Sequence, residues 1–290
     1  MSKAIPEFTL RNGVKVPVLS LGTALNDEAS EMDRTIRDAY EIGYRAFDTA
    51  EAYMNQAAIG DAIERNGIDR KTVYISSKVW NTNHGYDSTL KAFDNALKEL
   101  KTDYLDQYLI HWPGFTESYI DTWKAMEKLY KEKRVRVIGV SNFLVHHIER
   151  LMEVAEIMPM VDQMEMNPVF LPLEEMAFCK ENNIQMEATR PICRGKLDEF
   201  EPITKLAEKY GKTPTQIAIR WHIDQGVRPL PMTMKTHRLK ENFDVFDFSL
   251  TPEEVRSINE LNTGVRQTGQ NPDEFFELDN DFKNHPSNQD

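Results

Sequence analysis

The chain is poor in the residues that mark several large protein classes. Among 290 residues there are two cysteines, Cys179 and Cys193. No disulfide framework can be built from one pair, and so low a count suits a reducing, cytoplasmic setting. No stretch approaches the roughly 18 consecutive apolar residues of a membrane helix. The opening "MSKAIPEF" carries no apolar segment of signal-peptide length. A cytoplasmic protein without a membrane partner is therefore expected. Positive charge is also short: 35 Lys and Arg stand against 47 Asp and Glu, a formal charge of −12. A phosphate backbone needs a basic footprint, so nucleic acid is not an expected partner. There is no G-x-G-x-x-G after the first strand-like segment, which weakens an open dinucleotide-binding sheet. No HxxxH or Cys/His cluster points to a metal, and the neighbouring rings of "HH" at 146–147 are expected to diverge from a helix start. No linker, charge block or low-complexity tract interrupts the chain. The polar end, about 276–290, reads as a frayed tail.

What is present is a regular alternation. Composition is ordinary for a globular protein, 40% hydrophobic and 28% charged, and the length suits one α/β barrel spanning 1–290. The chain opens with two short alternating runs around "RNG", a hairpin signal because Asn and Gly both tolerate positive φ. Strand-like segments then fall at 19–22, 46–48, 73–78, 105–111, 135–141, 161–165, 185–188 and, more weakly, 227–231. Each is followed by a helical pattern. In "STLKAFDNALKEL", Leu90, Phe93, Leu97 and Leu100 share one face. Thr213, Pro214 and Gln216 form a capping-box signature, repeated by Thr251, Pro252 and Glu254. Parallel strands joined by helices allow a closed barrel or an open sheet. Eight units favour a (β/α)8 TIM barrel preceded by a β-hairpin.

In such a barrel, reactive residues gather where strands exit. The exits read "LGT", "FDTAEAY", "SSKVW", "LIHWPG", "GVSNF", "DQMEMN" and "EATRPICRG". Asp48, Tyr53, Lys78 and His111 thus converge on one mouth. Together they suggest proton transfer. A phenol with a pKa near 10 is a weak acid at neutral pH. An adjacent lysine lowers that value by stabilising the phenolate, and an aspartate holds the lysine charged and in place. A histidine can orient a carbonyl or share the proton. The plainer alternative is an Asp48–Lys78 structural ion pair beside His111 and Tyr53 as pocket wall.

The segments "FDTAEAYMNQAAIGDAI", "SSKVWNTNHGYDSTLKAFDNALKEL", "YLDQYLIHWP", "RVIGVSNF" and "KENFDVFDF" resemble the aldo-keto reductase family from about residue 6 to 275. The chain is most similar to its bacterial diketo-acid and glyoxal reductases. The resemblance implies a hairpin-opened barrel and hydride transfer from NADP(H) or NAD(H) to a small carbonyl compound. It implies Tyr53 as general acid, completed by Asp48, Lys78 and His111. Thr23, Ser141, Asn142 and Gln163 match cofactor positions, the last three those that hold the carboxamide. Thr233, Arg238, Glu241 and Asn242 match positions on the adenosine side. Trp80 and Trp112 match pocket walls, and Ala24 stands where a tryptophan often does. The expected assembly is a monomer or a weak homo-oligomer.

Departures from the family pattern cluster on the cofactor. Thr189 and Arg190 replace a usual tyrosine, which stacks on the nicotinamide, and a serine. Cys193 and Arg194 replace small residues. Met232 replaces the lysine that pairs with the 2′-phosphate, with Lys235 nearby as a substitute. Asp162 and Asn167 stand in place of asparagine and histidine. Weak discrimination between the two cofactors is expected, with Arg190 and Arg194 forming an anion site for the pyrophosphate. The competing expectation pairs those arginines with Asp198, Glu199 or Glu201. Three functional readings remain: a reductase with a rebuilt cofactor grip; a non-redox lyase or isomerase acting on an anionic substrate held by Arg190 and Arg194; and a binding protein, against which the complete tetrad argues. Cys193 reads either as a low-pKa thiol beside two arginines or as inert packing. The loop "TGQNPDEFFELDN" reads, by resemblance, as facing the substrate.

Overall fold

A computed structural model describes residues 5–24, 29–114 and 117–275. The expected tail at 276–290 lies outside these residues. The chain opens with a hairpin of β1 (Glu7–Thr9) and β2 (Lys15–Pro17), paired antiparallel. Its turn uses positive φ at Gly13 (81°) but not at Asn12. Asn12 contributes through its side chain instead, Oδ1 accepting from the Val14 N–H at 3.1 Å.

Eight parallel strands follow in sequence order: β3 (Leu21–Gly22), β4 (Ala46–Asp48), β5 (Tyr74–Val79), β6 (Leu105–Ile110), β7 (Val135–Ser141), β8 (Val161–Glu165), β9 (Gln185–Thr189) and β10 (Arg228–Pro229). All eight expected strands form. The sheet closes on itself: Ser20 N–H donates to Pro229 O at 3.2 Å, Gly22 N–H donates to Pro231 O at 3.1 Å, and a parallel bridge joins Gly22 to Met232. A Cβ at residue 22 would lie 3.1 Å from the Leu230 carbonyl oxygen, so glycine permits the close approach at this seam. Every strand residue of β4, β5 and β6 is buried, as befits strands covered on both faces.

The helices are α1 (Ala29–Ile42), α2 (Gln56–Arg65), α3 (Tyr86–Glu99), α4 (Tyr119–Lys131), α5 (Val145–Met152), α6 (Leu173–Glu181), α7 (Glu201–Tyr210), α8 (Pro214–Asp224), α9 (Thr236–Phe243) and α10 (Pro252–Asn259). Among the described residues one α-helix follows each strand from β3 to β8, whereas β9 and β10 are each followed by two. On α3 the expected face packs inward: Phe93, Leu97 and Leu100 are buried and Leu90 is half-buried. Both capping boxes form. Gln216 N–H donates to Thr213 Oγ1 while Thr213 N–H donates to Gln216 Oε1. Thr251 and Glu254 repeat the exchange. Each box satisfies two backbone donors that a helix start otherwise leaves open. Trp221 of α8 is fully buried and donates Nε1–H to Asn259 of α10 at 2.8 Å, tying the last helix to the barrel wall. Among the described residues no helix is long and apolar enough to cross a membrane.

Candidate active site

The strands place their last residues around one cavity of about 370 Å³. Asp48 ends β4. Tyr53 ends a single 3-10 turn (Glu51–Tyr53), after which Met54 adopts a left-handed φ of 55°. Lys78 lies in β5 and His111 directly follows β6. Asp48, Tyr53 and His111 line the cavity. Lys78 lies beneath them, fully buried.

Lys78 Nζ donates to Asp48 Oδ2 at 2.7 Å, to the Thr49 carbonyl at 2.9 Å and to Tyr53 Oη at 3.5 Å. An ammonium group has three N–H bonds, and each finds an acceptor. This completeness matters because a buried ion pair offsets its desolvation only when its remaining donors and lone pairs are satisfied. Asp48 Oδ1 accepts from Ser76 Oγ at 2.7 Å and from Gln163 Nε2 at 3.1 Å. Burial alone would lower the Lys78 pKa, but Asp48 and Tyr53 outweigh it and the value is raised. Lys78 therefore stays charged.

Burial raises the Tyr53 phenol above its ordinary value, with Lys78 and, more weakly, Arg190 pulling it back down. The lysine acts in the expected sense, but desolvation of the phenolate outweighs it. His111 is held well below the ordinary imidazole value by burial, then by Lys78 and His84, so the ring is neutral. It meets Tyr53 edge-on at 5.6 Å between ring centres and Trp80 at 5.0 Å.

An aromatic cluster backs the cavity and reaches it through Tyr53 and Trp112; Trp80, expected as a pocket wall, is fully buried and is not among the lining residues. Trp80, Trp112, Tyr53 and Phe275 pack with Ala50 and Ala52, and Ala24 lies against them. Phe275 stacks on Trp112 with ring centres 4.1 Å apart. It belongs to the loop read as substrate-facing, of which Thr268 and Gln270 line the cavity; residues 276–280 of that loop lie outside the described residues. Glu165, which the sequence reading passed over, accepts from the backbone N–H groups of Gln267 (2.7 Å) and Thr268 (3.1 Å) and so anchors this loop. An acid at the last position of a buried strand was the available signal.

Thr23, Ser141, Asn142 and Gln163 line the same cavity, as do Arg190, Arg194 and Arg238. Asn142 is held by its amide, which donates to the His111 carbonyl at 2.9 Å. Thr233, Glu241 and Asn242 are not among the lining residues. Thr233 Oγ1 accepts from Lys235 N–H, and Glu241 accepts from Thr213 at the cap of α8. Asn242 is buried in α9. Met232 stands at the cavity rim, 41% exposed.

The loop after β9 is unusual in its backbone. Arg190, Cys193 and Arg194 have φ of 52°, 46° and 53°, all in the region that disfavours side chains with a Cβ. Such strain persists where surrounding structure holds it and gathers at ligand sites. Burial, then repulsion from Arg194, lowers the Arg190 pKa, while Glu165 and Tyr53 act the other way. Glu201, one of the acids expected as a partner for the arginines, pairs with Lys205 at 2.7 Å. Cys193 is fully buried, and its thiol is pushed up to about 12, first by burial. It is packing, not a reactive thiolate.

The two rings at 146–147 do not diverge. Both Nε2 atoms face Asp273 Oδ1, at 3.0 and 3.3 Å. Together these side chains are a group able to offer three metal ligands, which corrects the geometric ground for expecting none there. His147 Nδ1 accepts from Leu144 N–H at 3.2 Å. The neutral ring therefore carries its proton on Nε2, which lies 3.3 Å from Asp273, two residues before Phe275.

Comparison with known proteins agrees with this architecture. Residues 18–263 match the model of the aldo/keto reductase family. The chain is 45% identical over 267 residues to the glyoxal reductase of Bacillus subtilis, covering 92% of this chain and 96% of that protein. It is 38% identical to the methylglyoxal reductase DkgA of Escherichia coli over 271 residues, covering 92% and 96%. Among solved structures, an aldo-keto reductase from a deep-sea metagenome superposes with a TM-score of 0.87 at 41% identity, covering 89% of this chain and 96% of that one. The Bombyx mori aldo-keto reductase in complex with NADP gives 0.85 at 32% identity, covering 99% of both. The chain belongs to the aldo/keto reductase family and is an oxidoreductase with that family's hairpin-opened (β/α)8 barrel.

Proposed function

We propose that this aldo/keto reductase reduces a small carbonyl compound, an aldehyde, ketone or keto acid, with Tyr53 as general acid and a nicotinamide cofactor held along the same cavity. It acts as a single barrel domain, as a monomer or weak homo-oligomer. The observation that carries the reading is the placement of Lys78 Nζ between Asp48 Oδ2 and Tyr53 Oη. A carbonyl oxygen seated against Tyr53 and the neutral His111 meets two uncharged polar groups. As negative charge grows on that oxygen, the Tyr53 proton moves to it, and the buried Lys78 stabilises the phenolate left behind. The names of the Bacillus and Escherichia relatives, reductases of glyoxal and methylglyoxal, support a small carbonyl substrate.

The residues present fit a nicotinamide cofactor. Gln163 lines the cavity, and its Oε1 is buried without a hydrogen-bond partner, an acceptor suited to a carboxamide N–H. Ser141 and Asn142 stand beside it. The bound cofactor supplies the hydride. Arg190 and Arg194 supply positive charge at the end of the barrel where phosphates are commonly held, and a guanidinium fork suits pyrophosphate. At Thr189 no ring is available for stacking, and at Met232 no charge is available for a 2′-phosphate. NADPH and NADH are therefore separated weakly. The Bombyx neighbour, solved with NADP, supports the class of cofactor.

A second reading rests on Arg190, whose charge reaches Tyr53. The same tetrad would then carry out proton transfer on an anionic substrate without a hydride step. A binding titration with NADPH, NADH and their oxidised forms separates the two. Saturable binding of a nicotinamide cofactor is expected. If none binds at millimolar concentration while an anionic carbonyl compound does, the redox reading is dropped.

A further inference from the structure

Below the cavity the barrel interior carries a second buried ion pair. Arg228 of β10 and Glu187 of β9 are fully buried and meet at 2.6 Å between Nη1 and Oε1. The two residues are register partners, and Glu187 is in turn the register partner of Gln163 on β8. Register partners in parallel strands point to the same side of the sheet, so all three enter the barrel together. Arg228 Nε also donates to the Pro17 carbonyl of the hairpin at 2.8 Å. Glu187 Oε2 accepts from Gln163 Nε2 at 2.9 Å and from Gln107 Nε2 at 3.0 Å. Gln107 is itself fixed by Tyr74, whose hydroxyl donates to its Oε1 at 2.9 Å.

Gln163 therefore sits between two carboxylates. Its two amide hydrogens go to Asp48 Oδ1 at 3.1 Å and to Glu187 Oε2 at 2.9 Å. Both partners accept only, so the amide cannot turn over without setting its oxygen against a buried anion. With only Asp48 present, one amide hydrogen would be uncommitted and the oxygen free to swing. Each carboxylate has its own cation, Lys78 for Asp48 and Arg228 for Glu187. Gln163 thus joins two neutral pairs without adding charge.

We propose that Glu187, held by Arg228, is a positioning residue that fixes the Gln163 amide with its oxygen towards the carboxamide half of the cofactor site. This rests on the proposed nicotinamide cofactor, and its test is chosen to fail separately. The ligands compared are NADPH and ADP-ribose 2′-phosphate, which keeps the adenosine side and pyrophosphate but lacks the nicotinamide. In Glu187→Gln the volume is kept, but Gln163 loses a charged acceptor. NADPH should weaken at least about tenfold, a loss near 1.4 kcal/mol, while the fragment changes less than about twofold. In a Gln163→Leu background, adding Glu187→Gln should produce no further selective loss. Equal weakening of both ligands would mean that Glu187 only supports the fold. Unchanged NADPH binding, or a selective loss that persists without Gln163, would also overturn the proposal. If Glu187→Gln does not fold because Arg228 is left buried and unpaired, the double change Glu187→Met with Arg228→Met removes both charges, and the same selective loss is expected of it. A direct readout needs no cofactor: both side-chain amide protons of Gln163 should be protected from solvent exchange in NMR spectra, and in the Glu187 variant the protection of one of them should be lost. If the wild type binds no nicotinamide cofactor, the proposed function fails, and these amide signals alone decide whether Glu187 positions Gln163.

Discussion

On the β4–β6 side of the cavity, Lys78 spends three donors on Asp48, Thr49 and Tyr53, and Asp48 accepts from Ser76 and Gln163 as well. On the β9–β10 side, the wall is a loop with Arg190, Cys193 and Arg194 in left-handed conformation, followed by a half-exposed Met232. The first side leaves no alternative arrangement: moving one group strands a charge in a buried site, which costs several kcal/mol. The second side, above the buried Glu187–Arg228 pair, is a loop set by local backbone, with Arg190 and Arg194 half-buried and Met232 exposed, so exchanges there disturb fewer sealed charges. Substitution is therefore expected to be costlier on the first side than on the second.

The comparison breaks first at Tyr53. Removing the hydroxyl in Tyr53→Phe should lower turnover by about 10² to 10⁴, the range of a general acid, with cofactor affinity nearly unchanged. Steady-state rates and a binding titration on the same preparation check both halves. A variant within about tenfold of the wild-type rate would show that the wired side does not carry the proton.

Next come the arginines. Arg190→Met and Arg194→Met keep bulk and remove charge. Each should weaken a pyrophosphate-bearing ligand by about ten- to a hundredfold, since a hydrogen bond to a charged group contributes about 1.5–3 kcal/mol. The loss should shrink at high salt, and thermal scans should show little change in melting temperature. Ligand binding that is unaffected would place these side chains in a purely structural role.

Met232→Lys sharpens the contrast from the other direction. A charge restored at the rim should tighten NADPH by more than about tenfold and leave NADH nearly unchanged. Parallel titrations give the ratio, and equal tightening of both cofactors would rule out a 2′-phosphate contact there. Thr189→Tyr tests the missing ring. Stacking contributes about 0.5–1.5 kcal/mol, so a two- to twelvefold gain in affinity is expected for NADPH over ADP-ribose 2′-phosphate.

The smallest effect expected is that of pH. Tyr53 must be protonated to act as an acid, and its pKa is raised above 10 by burial. The protonated fraction is then constant at lower pH, and the rate of reduction should fall only above about pH 10. His111 is depressed well below 6.5 and stays neutral, so no limb should appear between pH 6 and 8. Arg190 pulls the Tyr53 pKa down, so Arg190→Met should move the alkaline limb further up. A pH–rate profile of both proteins checks this, and a limb near pH 6.5 would reassign the proton to a histidine.

Much of the wired side was legible in the chain. Asp48, Lys78 and His111 follow or end buried apolar runs, and a parallel strand delivers its last residues to one rim. Tyr53 follows Asp48 by one short turn, so strand placement alone brings it to the mouth. The capping boxes at Thr213 and Thr251 were legible because they depend on residues three apart. The convergence of His146 and His147 on Asp273 was not, since it depends on where a loop more than a hundred residues later is laid down. Glu187 and Arg228 were not legible either. In sequence they are charged residues inside two expected strands, 185–188 and 227–231, and nothing local shows that they face each other within the barrel.

The sequence by itself determined the number and order of β–α units, the caps that start two of the helices and the set of side chains presented at the strand exits. These depend on apolar periodicity and on hydrogen bonds between near neighbours, which operate over a few residues. Tertiary structure alone decided the rest: the closure at Gly22 and Met232, the rise of the Tyr53 pKa despite Lys78, and the buried chain from Asp48 through Gln163 to Glu187 and Arg228. Desolvation and Coulomb terms depend on burial and distance. Strands far apart in the chain acquire both only when the barrel closes.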